Sequence, residues 1–156
     1  FDPMRAPYNV AISINQNKYK IARLEEKTNN LAWFEISKGE LSNATEVNAT
    51  IDPEGYVQIT WEGTEEWKLH NNNDYLVAAV YNKTRDTADT YLTSQQRTDQ
   101  AARIPLNEFS EGDVLEIFVY FHVHQFKYIT GSKANVSNSK WVGQFKKVSE
   151  PLIKLI

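Results

Sequence analysis

From residue 31 onward, apolar residues recur at every second position in short runs, and turn-forming residues separate the runs at roughly eight- to fifteen-residue intervals. Period two is the repeat of a pleated strand, whose successive side chains leave opposite faces. The runs predict strands over 31–37, 46–51, 56–62, 75–81, 87–94, 100–106, 114–124 and 141–148. In the first, Ala32, Phe34 and Ile36 share a face; in the third, Val57, Ile59 and Trp61 alternate with Tyr56, Gln58 and Thr60. The turns have their own chemistry. In Asp52-Pro53-Glu54-Gly55, Pro presets the backbone at the second position and Gly accepts a positive φ. Lys38-Gly39 and Glu111-Gly112-Asp113 mark two more. About eight such strands, with no internal repeat, predict an all-β fold of sandwich or barrel type.

Residues 1–30 are different. Pro3 and Pro7 break regularity, and the stretch that follows fits two periods: Tyr8, Val10, Ile12 and Ile14 a strand, Tyr8, Ala11, Ile12 and Asn15 a helix starting at Pro7. A charged stretch then leads to Asn29-Asn30, which suits a solvated linker. The expected division is an appendage over 1–30, a β-sandwich domain over 31–148 and an apolar tail over 149–156. The chain starts on Phe1, with a Met only at position 4, so a processed or truncated start is expected.

Strand 114–124 is the most informative. Leu115, Ile117, Val119, Phe121 and Val123 fall on one face, and Phe118, Tyr120, His122 and His124 on the other. The aliphatic face belongs to a core. The second face is expected to be an outward surface for a partner, joined by Tyr75, Tyr81 or Tyr91 from neighbouring strands, unless residues 1–30 cover it. His122 and His124 leave the strand about 7 Å apart, a spacing two metal ligands can use, with His70 or Glu116 as the third. Half-exposed strand histidines beside aromatics explain the pair equally simply, so no metal and no cofactor is assigned. In the tail, Leu152, Ile153, Leu155 and Ile156 are expected to dock, either as an edge strand of their own domain or on a neighbour's sheet.

Composition narrows the function. At 156 residues the chain suits one domain with its own core. A net charge of -3, with Lys and Arg scattered singly, gives no footprint for a phosphate backbone, so nucleic acid is not an expected partner. There is no Cys, hence no disulfide, thiolate nucleophile or Cys-based zinc site. No stretch approaches the roughly 18 apolar residues of a membrane span. Asn-X-Ser/Thr triplets at Asn43, Asn48, Asn82 and Asn135, and the Asp86-Thr87-Ala88 acceptor-like triplet, read as turn composition. No phosphate loop, His-Glu-X-X-His helix or Gly-X-Ser-X-Gly elbow occurs. Acid pairs such as Glu65-Glu66, or Asp86 with Asp89, have no spatial argument for a catalytic role, and solvated charge explains them.

Val57-Gln58-Ile59-Thr60-Trp61-Glu62 resembles the second strand of a fibronectin type III or immunoglobulin-like sandwich, residues 75–81 resemble its third strand, and residues 104–113 the approach to its sixth. Leu115 stands where a fibronectin module would carry its corner tyrosine. Phe34-Glu35-Ile36-Ser37-Lys38-Gly39-Glu40-Leu41, Val57-Gln58-Ile59-Thr60-Trp61, Leu76-Val77-Ala78-Ala79-Val80-Tyr81-Asn82 and Val136-Ser137-Asn138-Ser139-Lys140-Trp141-Val142-Gly143 are similar to an uncharacterised Bacteroidota family classed as a domain of unknown function. Members of that family typically have an upstream Gly-rich segment with Lys and Trp, absent here. The resemblance implies fold and origin and no catalytic residue. The resulting expectation is a non-enzymatic structural or interaction module at a cell surface or in a virion-like assembly, rather than a cytoplasmic protein. It would use a protein partner or self-assembly; the alternatives are a carbohydrate-binding module taking a glycan on the aromatic face and, last, a hydrolase.

Overall fold

The first hairpin forms because Asp52 organises its own turn: its Oδ1 accepts from the N–H of Glu54 at 2.9 Å and of Tyr56 at 3.1 Å, while Gly55 adopts φ +84°. The structure, a computed structural model, describes residues 31–32, 34–52, 54–65, 68–123, 135–147 and 153–155. Its strands are β1 (Glu46–Ile51), β2 (Tyr56–Glu62), β3 (Tyr75–Asn82), β4 (Thr87–Gln96), β5 (Ala101–Pro105), β6 (Val114–His122), β7 (Lys140–Lys146) and β8 (Ile153–Lys154). A 3-10 turn, Arg97–Asp99, joins β4 to β5.

The pairings between these strands are all antiparallel and, among the described residues, make two sheets, a three-stranded one in the order β1-β2-β5 and a five-stranded one in the order β4-β3-β6-β7-β8. The protein is therefore all-β. The two sheets share one core. Val57, Ile59, Trp61, Ala102 and Ile104 come from the first; Leu76, Ala78, Val80, Leu115, Ile117, Val119, Phe121 and Phe145 from the second. Trp61 meets Phe121 edge-on at 5.8 Å. The register of β6 on β7 slips between Ile117 and Phe118, and Gly143, at φ +145°, takes up the bulge.

The predicted strand over 31–37 does not form. Its described residues run irregularly and are tied to the start of β7 mostly through side chains. Ser37 Oγ donates to the Ser137 carbonyl at 2.7 Å, Ser139 Oγ accepts from the Ile36 N–H at 2.9 Å, and the Gly39 N–H reaches Asn138 Oδ1 at 3.0 Å. Backbone bonds from Ser139 N to Ser37 O and from Leu41 N to Val136 O complete the strap. Segments buried without a ladder need such partners for their polar groups. Of the predicted apolar face, Phe34 rests half-buried on Phe118 of β6, while Ala32 is exposed, and no strand pairing is made.

A second tie fixes the turn before β6. Asp113 Oδ2 accepts from Asn82 Nδ2 at 2.8 Å and from the Ser110 N–H at 3.0 Å, and its Oδ1 takes Arg85 Nε at 3.2 Å. Burial pushes the Asp113 carboxyl up, but these donors outweigh it and hold the group below the usual carboxylate range. No tyrosine hydroxyl is needed at this corner.

Candidate functional site

The outer face of the five-stranded sheet carries Phe118, Tyr120 and His122, three of the residues expected to meet a partner. Position in the sheet decides their fate. Strand β6 lies between β3 and β7, and the Phe34 ring packs on Phe118 at 5.8 Å, leaving Phe118 1% exposed. This corrects the expectation that Phe118 belongs to an outward contact face: alternation assigns a side chain to a face, but not what lies over it.

Glu116, on the same face, is fully buried, and its carboxylate is consumed structurally. Trp141 Nε1–H donates to Oε2 at 2.6 Å, Gln144 Nε2–H to Oε1 at 2.7 Å, and Lys83 Nζ lies 3.6 Å from Oε1. It ties β7 to β6 across the bulge and has no free oxygen to offer a metal ion. Among the described residues, no three His, Asp or Glu side chains gather as a metal site.

Tyr120 and His122 are half-buried. Burial holds the Tyr120 hydroxyl above the ordinary phenol range. The His122 ring stacks on Tyr75 with centroids 6.1 Å apart and planes 6° from parallel, and its Nδ1 lies 2.8 Å from the Val123 carbonyl. Tyr81 turns its hydroxyl to Asp86 at 2.8 Å, and that bond raises its pKa. His124, Leu152 and Ile156 lie outside the described residues. Ile153 belongs to β8, which pairs with β7 in its own sheet, and the Leu155 N–H donates to the Gln144 carbonyl at 2.9 Å. Of the two dockings open to the tail, residues 153–155 take the one on their own domain. Leu155 stays 43% exposed.

A different surface opens where the two sheets part. Strands β4 and β5 are outer strands of different sheets, and a cleft of about 530 Å³ lies between them, lined by Gln58, Tyr91, Leu92, Gln95, Ala102 and Ile104 among others. Tyr91 leans toward the core and its hydroxyl bonds to the Glu108 carboxylate; burial, then that partner, raises its pKa. Arg103 is held by Asp52 at 2.8 Å and Glu54 at 3.0 Å, 4.1 Å above the Tyr56 ring. Leu92 is 66% exposed, the most exposed large apolar side chain among the described residues. A cleft bounded by strand margins offers backbone donors and acceptors, which is the chemistry of strand recognition.

The profile of a family of unknown function, DUF6266, matches residues 4–143. The chain belongs to that family. No curated protein and no solved structure matches it. In this DUF6266 member, two of the four stretches that carried the resemblance, 34–41 and 136–143, form the two sides of the serine strap, and the other two supply β2 and β3. Those stretches therefore encode architecture.

Three of the four glycosylation-like asparagines have structural work. Asn43, Asn82 and Asn135 are buried, with the Asn43 amide donating to the Asn138 and Val119 carbonyls and Asn82 to Asp113. Asn48 is exposed.

Sequence reading missed two features. One is the buried pair Arg97–Asp74, where Arg97 Nη2 meets Asp74 Oδ2 at 3.1 Å and Ser42 O at 2.8 Å, with the guanidinium 4.0 Å from the Phe121 ring centre. Burial lowers the Arg97 pKa against the pull of Asp74. The other is Leu92, whose signal was present: a lone large aliphatic residue in Thr-Ala-Asp-Thr-Tyr-Leu-Thr-Ser-Gln-Gln.

Proposed function

We propose that the protein is a non-enzymatic structural or interaction module, built as a fibronectin type III-like or immunoglobulin-like sandwich, that works at a cell surface or in a virion-like assembly of Bacteroidota origin. The strand partition supports the sandwich type: the first, second and fifth strands share one sheet, while the third, sixth and seventh centre the other. The fourth strand joins that second sheet.

The observation that carries the interaction reading is the open cleft between β4 and β5, with exposed Leu92 on its rim. The buried acids Asp74, Asp113 and Glu116 are each engaged by partners within the fold. Hydroxyl-radical footprinting of the native assembly against the purified chain, diluted until it is monomeric, tests the reading. Protection of residues 91–95 and 101–105 is the expected result, and equal labelling in both samples overturns it.

One observation favours a glycan as second reading, the flat Tyr75–His122 stack beside half-buried Tyr120. Glycan-array binding that disappears in Tyr120→Ala selects it.

A further inference from the structure

We propose that β4 pairs antiparallel with β4 of a second copy, about a two-fold axis at Thr90, joining two five-stranded sheets into one. The proposal rests on the module reading above and names its partner.

Backbone direction is fixed by the neighbouring strands. The Lys83 N–H donates to the Val114 carbonyl at 2.8 Å, next to the register pair Asn82↔Leu115. Antiparallel pairs alternate between hydrogen-bonded and non-hydrogen-bonded, so Tyr81, Ala79 and Val77 spend their backbone groups on β6. Asn82, Val80 and Ala78 then turn theirs toward β4, onto Thr87, Asp89 and Tyr91. It follows that Ala88, Thr90 and Leu92 point their N–H and C=O groups out of the sheet, where no described strand lies.

Monomeric proteins blunt such margins with Lys, Pro, very short strands or bulges. The other outer strands follow that practice: β8 has two residues, β5 carries Arg103 and ends on Pro105, and β1 is six residues long and starts on Glu46. Strand β4 is ten residues long, has Asp89 as its one charge, and contains neither Lys nor Pro. Residues 87–90 and Leu92 are exposed, and the cleft beside 91–95 keeps β5 away from this margin. A shift in register between Leu92 and Gln96 confines flat pairing to the segment before it.

Within that segment the register follows from charge and size. An axis at Thr90 sets Thr90 opposite Thr90, Ala88 opposite Leu92 and Asp89 opposite Tyr91, with about six new backbone hydrogen bonds. Ala88, Thr90 and Leu92 share the outer face, so the exposed leucine gains an apolar neighbour. An axis at Asp89 would instead oppose two carboxylates. Self-complementary pairing of this kind closes as a two-fold dimer.

Sedimentation and light scattering of the full chain over a range of concentrations test it. The mass is expected to rise from 18.0 kDa toward twice that value as concentration increases. Thr90→Pro, which removes an outward N–H, and Thr90→Lys, which opposes like charges, are expected to stay monomeric, while Thr90→Val keeps the dimer. Because the chain has no Cys, Thr90→Cys gives a single thiol, expected to cross-link on oxidation faster than the exposed-loop variant Thr84→Cys. Thermal melts of each variant separate loss of pairing from loss of fold. A wild-type monomer at every concentration, or a dimer indifferent to Thr90→Pro and Thr90→Lys, overturns the pairing. A monomer that still shows the β4–β5 footprint removes self-pairing alone, whereas equal footprints with an intact dimer remove the module reading alone.

Discussion

Strands β4 and β6 flank β3 on opposite sides, yet the molecule treats them differently. Six of the nine residues of β6 are buried, and the other three are half-buried; the buried ones include positions on the face turned away from the core. In β4 no residue is fully buried. Both strands alternate, and both carry aromatic residues. The difference comes from neighbours: β6 has a strand on each side and Phe34 above it, while β4 has β3 on one side and no described strand on the other. Ring-rich alternation therefore marks a contact surface only when sheet position leaves it uncovered.

Phe118→Ala is the hardest test of this contrast. Truncating a phenylalanine sealed under Phe34 is expected to cost about 3–5 kcal/mol in denaturant unfolding. A loss below about 1 kcal/mol would return Phe118 to the surface.

Arg97→Ala, just beyond the end of β4, is expected to cost a similar or slightly smaller amount, about 3 kcal/mol, because it leaves the Asp74 carboxylate buried without its guanidinium. Arg97→Ala combined with Asp74→Asn should recover part of the loss. Failure to recover would mean that packing on Phe121, not charge, is what Arg97 supplies.

The turn into β6 adds a pH dependence. Asp113 has a folded pKa below its ordinary value near 3.8, so its stabilisation is full above that pH and fades as pH falls through the lower folded value. Acid unfolding of Asp113→Asn should accordingly be flatter than wild type below about pH 3.8. Parallel acid limbs would assign the acid sensitivity elsewhere.

Leu92→Ala is the smallest effect expected. On an exposed margin it should shift monomer stability by no more than about 0.5 kcal/mol, while weakening the concentration-dependent rise in mass. A large stability loss in the monomer would show that β4 is not a margin.

Much of the fold was legible in the residues. The predicted strands 46–51 and 56–62 match β1 and β2, and five more match β3 to β7 within two residues at each end. Turn chemistry at Asp52 and Gly55, and alternation in Val57, Ile59 and Trp61, are local properties that need no knowledge of the partner strand. Strand 31–37 misled because its polar groups find side-chain and backbone partners before β7 without a ladder, and no alternation in its sequence can show that. The candidate site was less legible. Tyr120 and His122 were placed on the right face, but Phe118 was assigned to a surface it does not reach, and the margin of β4 went unnoticed.

What the sequence by itself determined is where strands start and stop and which residues share a face, since both follow from backbone preference and period two within a few residues. Only the tertiary structure decided which strand stands at the edge, which outer face is covered, and how the serine strap and the Arg97–Asp74 pair close. Those outcomes depend on contacts between residues tens of positions apart, and a pattern with a range of two residues carries no information about them.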